Sequence, residues 1–159
     1  MTSPAGAVMW QVCIACGARF DELEPATRCR SCGGLLDVKH QSPAVVGQAL
    51  RNFFDHRSDR PTVRPSDHLS SVPLSSGVWR FQELVLPGAE QIVSYPEGNT
   101  PLLRRAEIAA WAGISDLSLK HEGQNPTGSF KDRGMTVAIT QALRIGARAV
   151  VCASTGNTS

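Results

Sequence analysis

Two sets of side chains in this sequence can do chemistry. The first is the pair of knuckles Cys13-x2-Cys16 and Cys29-x2-Cys32, twelve residues apart, a spacing that presents four thiolates to one tetrahedral ion. Gly17 and Gly33-Gly34 follow the pairs where tight turns are needed, and Arg19, Arg28 and Arg30 lie near enough in sequence to offset the charge of a tetrathiolate. Four protein ligands close the coordination sphere, so the expectation is structural zinc with no open position for water or substrate; disulfides or a redox pair are the alternatives. The second is Lys131, inside Asn125-Pro126-Thr127-Gly128-Ser129-Phe130-Lys131-Asp132-Arg133-Gly134. Dense turn chemistry followed by Ser129 and Asp132 predicts a capping box that opens a helix at about Phe130 and puts the lysine in its first turn. There the helix dipole disfavours the charged ammonium, the direction required of a lysine that attacks a carbonyl as a free amine. The competing reading is an exposed lysine paired with Asp132.

The elements that must position these groups follow from local patterns. Short strands are expected around Trp10–Ile14 and Leu35–Lys39, with a core so small that metal must supply much of the stability. Apolar residues recurring at three and four predict a helix over Ala44–Phe54. Ser58 to Ser76, with Pro61, Pro65, Pro73 and many serines, reads as a linker or surface arm. Gly77–Phe81 and Leu84–Leu86 carry large apolar groups suited to packing the N-terminal arm onto the main domain. Tyr95 to Leu102 is a turn entering an edge strand, since Pro101 excludes a central one. A helix over Arg105–Ala112 stops at Gly113, a strand covers Leu117–Glu122, and the Lys131 helix runs to about Ile145 with Gly146 as its cap. The apolar run Ala149–Ala153 is expected as a parallel strand buried on both faces, making Cys152 a small core residue.

Strand, helix, strand predicts a right-handed βαβ unit, in which loops from the carboxyl ends of neighbouring parallel strands open on one sheet edge. Lys131 is thereby brought beside Ser154-Thr155-Gly156-Asn157-Thr158-Ser159, a loop whose donors suit a carboxylate or phosphate. The division expected is a ribbon at 1–40, a helix and arm at 41–93, and the start of an α/β domain at 94–159. With a net charge of +2 and no basic tract, neither nucleic acid nor an anionic membrane is an expected partner. The ribbon lacks the interleaved aromatics and basic runs of a nucleic-acid module. No apolar run reaches membrane-spanning length and the start lacks a signal-peptide pattern, so a cytoplasmic protein is expected.

Three ordered motifs, Glu97-Gly98-Asn99-Thr100-Pro101-Leu102, the Asn125–Gly134 string and Ser154–Ser159, resemble those of the threonine synthases, pyridoxal-phosphate enzymes of the tryptophan-synthase-β-like fold. The resemblance runs closely from about Gly77 to Ser159, and the cysteine ribbon is similar to the N-terminus of some members. It implies a partial fold-type II, three-layer αβα unit preceded by a zinc ribbon. It further implies that Lys131 carries pyridoxal phosphate as a Schiff base and then shuttles protons, that Phe130 flanks the cofactor, and that Asn157 hydrogen-bonds its 3′-oxygen. Ser154, Thr155 and Thr158 would hold the substrate α-carboxylate, and Thr100 would line the site. The implied reaction is that of a carbon–oxygen lyase acting on phosphates: O-phospho-L-homoserine and water to L-threonine and phosphate, in a homodimer. The family's phosphate-gripping glycine loop and pyridine-nitrogen partner lie beyond Ser159, so the expectation is an N-terminal fragment that does not sustain catalysis alone. The alternatives are threonine or diaminopropionate ammonia-lyase, cysteate synthase, or a non-catalytic zinc-ribbon interaction module.

Overall fold

The structure, a computed structural model, describes residues 9–56 and 77–158; the Pro/Ser-rich stretch expected as a linker lies outside the described residues. The chain opens with a three-stranded antiparallel sheet in the order β2-β1-β3, formed by β1 (Met9–Cys13), β2 (Arg19–Asp21) and β3 (Leu36–His40). Register pairs Gln11 with Phe20 on one side and with Val38 on the other. Alternation along β1 puts Met9, Gln11 and Cys13 on its buried face, as period-two geometry requires. The buried Gln11 amide donates to the carbonyls of Asp21 (3.1 Å) and Glu24 (2.8 Å), tying the strand to the loop after β2.

Helix α1 (Gly47–Asp55) covers most of the predicted helix and buries Phe54 edge-on against Phe81, with ring centroids 5.1 Å apart. Phe81 ends a 3₁₀ turn, Val78–Phe81, that leads directly into α2 (Gln82–Val85). Gly77 before it must be glycine: a Cβ there would sit 2.0 Å from the Glu97 carbonyl oxygen. The main core assembles here, around the wholly buried Trp79 with Met9, Leu86 and Ala89, and Val137 packs against it. Gly77–Phe81 and Leu84–Leu86 therefore do pack the N-terminal arm onto the remainder.

Strands β4 (Leu102–Arg104) and β5 (Ser118–Lys120) pair antiparallel across α3 (Ala106–Ala112), and β4 begins immediately after Pro101. Helix α3 ends at Gly113, with the Ile114 amide donating back to Ala109. Helix α4 (Asp132–Arg144) ends through Gly146 and Ala147, whose amides reach Leu143 and Ala142, a Schellman pair. Strands and helices alternate as an α/β chain requires, but the expected parallel strand and βαβ unit are corrected. Residues 149–153 form no strand, Val151 is 96% exposed and Cys152 is exposed. A parallel strand buried on both faces needs a neighbouring strand and two covering layers. Among the described residues the sheets are β2-β1-β3 and β4–β5, both antiparallel and neither pairing with 149–153, and α4 turns its buried face to Trp79 and Val93 instead. Two threonines one turn apart make that contact: Thr136 accepts from the Trp79 indole at 2.9 Å and donates to the Val93 carbonyl, and Thr140 accepts from the Val93 amide at 2.9 Å.

Candidate active site and metal centre

The four cysteines converge. Knuckle turns place their sulfur atoms within 4.8 Å of one another, with Cys13–Cys32 at 3.5 Å and Cys16–Cys29 at 3.6 Å. A disulfide would require about 2.05 Å, and all five cysteines are free. Metal–sulfur bonds of about 2.3 Å in a tetrahedron put sulfurs about 3.8 Å apart, so the cluster is the size that zinc demands. Gly34 permits it, since a Cβ there would lie 2.9 Å from Cys13 Sγ and 3.3 Å from Cys32 Sγ. Protonation favours a cation as well. Backbone amides, chiefly that of Cys16, draw the Cys13 thiol below its ordinary range. Burial pushes Cys29 up, yet the amides of Ser31 and Cys32 with the neighbouring thiols outweigh it and leave it at about 6. The Gly34 amide lowers Cys32, but Cys16 and Cys13 together drive it to about 12. Four sulfurs this close cannot all carry charge unaided, and a divalent cation removes the conflict. The three nearby arginines have other partners: Arg19 stacks over Trp10, Arg28 donates to the Gly33 carbonyl, and Arg30 pairs with Glu24.

At the other end of the chain, Lys131 sits at the N-cap position of α4. The capping box forms only by half. Ser129 Oγ accepts from the Lys131 amide at 3.2 Å, while the Asp132 carboxylate turns back to the Thr127 amide (2.9 Å) and hydroxyl (2.5 Å). Asp132 is thus occupied, and the reading that pairs it with Lys131 falls away. The Lys131 amine donates to Thr158 Oγ1 at 2.9 Å. That contact brings the two sequence motifs together even though the strand between them is not formed. Ser154 Oγ folds the loop by accepting from the amides of Gly156 (3.1 Å) and Thr158 (3.0 Å). Asn157, Thr155 and Phe130 are exposed, Phe130 by 58%. An accessible primary amine whose partner is a neutral hydroxyl suits an aldehyde-bearing cofactor, because no counter-ion must be displaced before it reacts. A cleft of about 180 Å³ runs along α4 past Thr127, Asp132, Met135 and Ile139, and Lys131 is not among its lining residues.

Thr100 is placed elsewhere: it is buried, and its hydroxyl donates to Glu122 Oε1 at 2.6 Å and accepts from Arg133 Nη2 at 3.1 Å. Glu122 and Arg133 were missed by the reading of motifs alone. Arg133 grips the carboxylate side-on with one edge, Nε to Oε2 at 2.8 Å and Nη2 to Oε1 at 3.0 Å. Asn125 adds a bond to Oε2 at 3.0 Å and accepts from the Gly98 amide at 2.8 Å. Hydrogen bonds from Arg133 first, then from Thr100 and Asn125, hold the Glu122 carboxyl down at about 2 against the effect of burial, and the same contact raises Arg133. One signal was available in the sequence: two cations, Lys131 and Arg133, at the start of a helix where acids are favoured.

Comparison with known proteins bears on both sites. Residues 93–159 match the family model described as pyridoxal-phosphate dependent enzyme. The chain is 42% identical over 147 residues to a threonine synthase of Methanosarcina acetivorans, covering 92% of this chain and 31% of that protein. It is 41% identical over 152 residues to a threonine synthase of Methanocaldococcus jannaschii, covering 95% and 33%. A threonine synthase of Mycobacterium tuberculosis is 58% identical over 67 residues, covering 42% and 18%. The chain spans about a third of the length of the two archaeal relatives. No solved structure matches it. Among the described residues, no helix is long and apolar enough to cross a membrane.

Proposed function

We propose that this chain, whose residues 93–159 match the model of the pyridoxal-phosphate dependent enzyme family, is the lysine-bearing part of a threonine synthase. The reaction is the conversion of O-phospho-L-homoserine and water to L-threonine and phosphate. The observation that carries the reading is the 2.9 Å contact between the Lys131 amine and Thr158, which joins the lysine to a hydroxyl- and amide-rich loop. Pyridoxal phosphate, when bound, supplies the electron sink for the carbanion chemistry. Lys131 holds it and afterwards carries the proton between substrate carbons. Phe130, with its exposed ring, and Asn157, with its side-chain amide, would help to hold it. Ser154, Thr155 and Thr158 present hydroxyls and amides to the substrate carboxylate, and Thr100 acts through its bonds to Glu122 and Arg133.

The ribbon's four thiolates hold zinc in a closed shell, which leaves that metal a structural part. The domain division is the one read from sequence: ribbon 1–40, arm 41–93, catalytic part 94–159. The protein is cytoplasmic and works as a homodimer. Assays of the complete gene product with phosphohomoserine, threonine and phosphoserine in parallel test the reading. Phosphate release from phosphohomoserine is expected, and consumption of threonine without phosphohomoserine turnover would instead make it an ammonia-lyase.

A further inference from the structure

Lys131 lies between two anchors. On one side is Glu122, which opens the 3₁₀ turn after β5; on the other is Arg133, in the first turn of α4. Their side chains close the intervening loop with two hydrogen bonds, at 2.8 and 3.0 Å. A carboxylate accepts about four hydrogen bonds, and Glu122 receives four: two from Arg133, one from Thr100 and one from Asn125. Arg133 in turn commits Nε and Nη2, three of its five N–H donors, to this cluster. Asn125 extends the closure to the Gly98 amide, so the Glu97, Asn125 and Lys131 segments are held as one piece. Arg133 beside a helix N-terminus costs stability unless an acid answers it, which gives the pair a reason to be mutual.

Building on the threonine-synthase reading above, we propose that Glu122 and Arg133 are a positioning pair for Lys131, and that Arg133 does not bind the substrate's phosphate or carboxylate. An arginine two residues from a cofactor lysine, in a site for a doubly anionic substrate, would ordinarily be the first candidate for an anion ligand. Here the Nε–Nη2 edge of its fork is committed to Glu122, and the Thr100 hydroxyl is committed to the same pair. The anion is left to the Ser154–Thr158 loop. The pair acts by fixing where the Lys131 amine stands, and misplacement by about 1 Å costs about 10²-fold in rate.

The test compares Glu122→Gln, Arg133→Gln and the double variant in the complete gene product. It follows KM for phosphohomoserine, kcat, and the fraction of Lys131 trapped by pyridoxal phosphate and borohydride. Each single variant is expected to lose about 10²-fold in kcat and much of the trapping while KM stays within about threefold, and the double variant is no worse than either. The exchange Glu122→Arg with Arg133→Glu should recover part of both losses. A rise in KM of about tenfold with kcat retained in Arg133→Gln would make Arg133 an anion ligand and overturn the proposal. Normal kcat and normal trapping in both single variants would overturn the pairing alone. Absence of Lys131 trapping in the unsubstituted protein would overturn the underlying reading and this proposal with it.

Discussion

The two ends of helix α4 are held by opposite electrostatics. At the carboxyl end the dipole and the side chains agree: Arg144 stands in the last turn, pairs with Glu22 of the ribbon, and Gln141 donates to the Glu22 carbonyl at 3.0 Å. At the amino end they disagree. Lys131 and Arg133 are both cations, the one acid of the first turn is spent on Thr127, and Arg133 is answered by Glu122, eleven residues back, leaving the Lys131 amine to a neutral hydroxyl. The ribbon end thus meets the helix with complementary charge, whereas the lysine end leaves an exposed amine on a neutral hydroxyl. A helix anchored firmly at one end can hold an unfavourable charge at the other, because the strain of the site is opposed by packing elsewhere.

The largest effect should come from the anchored end. Removing zinc with a chelator, or replacing Cys29 by Ser, should unfold β1–β3, since structural zinc contributes about 10–16 kcal/mol in small metal-folded domains. Loss of Met9 from the Trp79 cluster should shift the tryptophan emission, and metal analysis should give about one zinc per chain before treatment. A ribbon that keeps its amide protection without metal would remove the assignment. Next, Trp79→Ala deletes a fully buried ring and its hydrogen bond to Thr136, and should cost about 3–5 kcal/mol in denaturant unfolding. A cost below about 1 kcal/mol would mean that the ribbon and α4 are not joined through this residue.

A smaller and pH-limited effect belongs to the lysine end. The Glu122 carboxyl titrates at about 2 in the folded chain against an ordinary 4.5, so the unfolded chain takes up its proton first. The stabilisation from this group is therefore complete above 4.5 and is lost as the pH falls from there toward about 2. Glu122→Gln should lower stability at neutral pH and flatten the acid limb of the unfolding curve. An acid limb unchanged by the substitution would show that Glu122 is not paired in the folded protein.

What the sequence made legible was local. The cysteine spacing located the four-sulfur cluster, and Gly113 and Gly146 marked the ends of α3 and α4 because caps are made by neighbours in sequence. The meeting of Lys131 with the Ser154 loop was also legible, though through a βαβ geometry that is not what joins them here. The misreadings concern partners far away in the chain. Ala149–Ala153 has the composition of a buried strand, but composition cannot supply the adjacent strand and layers that burial needs. Cys152 is exposed for the same reason. The Thr136 and Thr140 hold on Val93 spans 43 and 47 residues, and no pattern of polarity along α4 announces it. Asp132 was placed in a capping box by spacing, whereas Thr127 offers it two donors at once.

The central claim is that Lys131 is the reactive amine of the site. Incubating the protein with pyridoxal phosphate, reducing with borohydride and mapping the modified peptide tests it most directly. The account predicts one label, on Lys131, abolished in Lys131→Ala while the fold measured by circular dichroism is unchanged. Label spread over the exposed lysines, or none on Lys131, would contradict it.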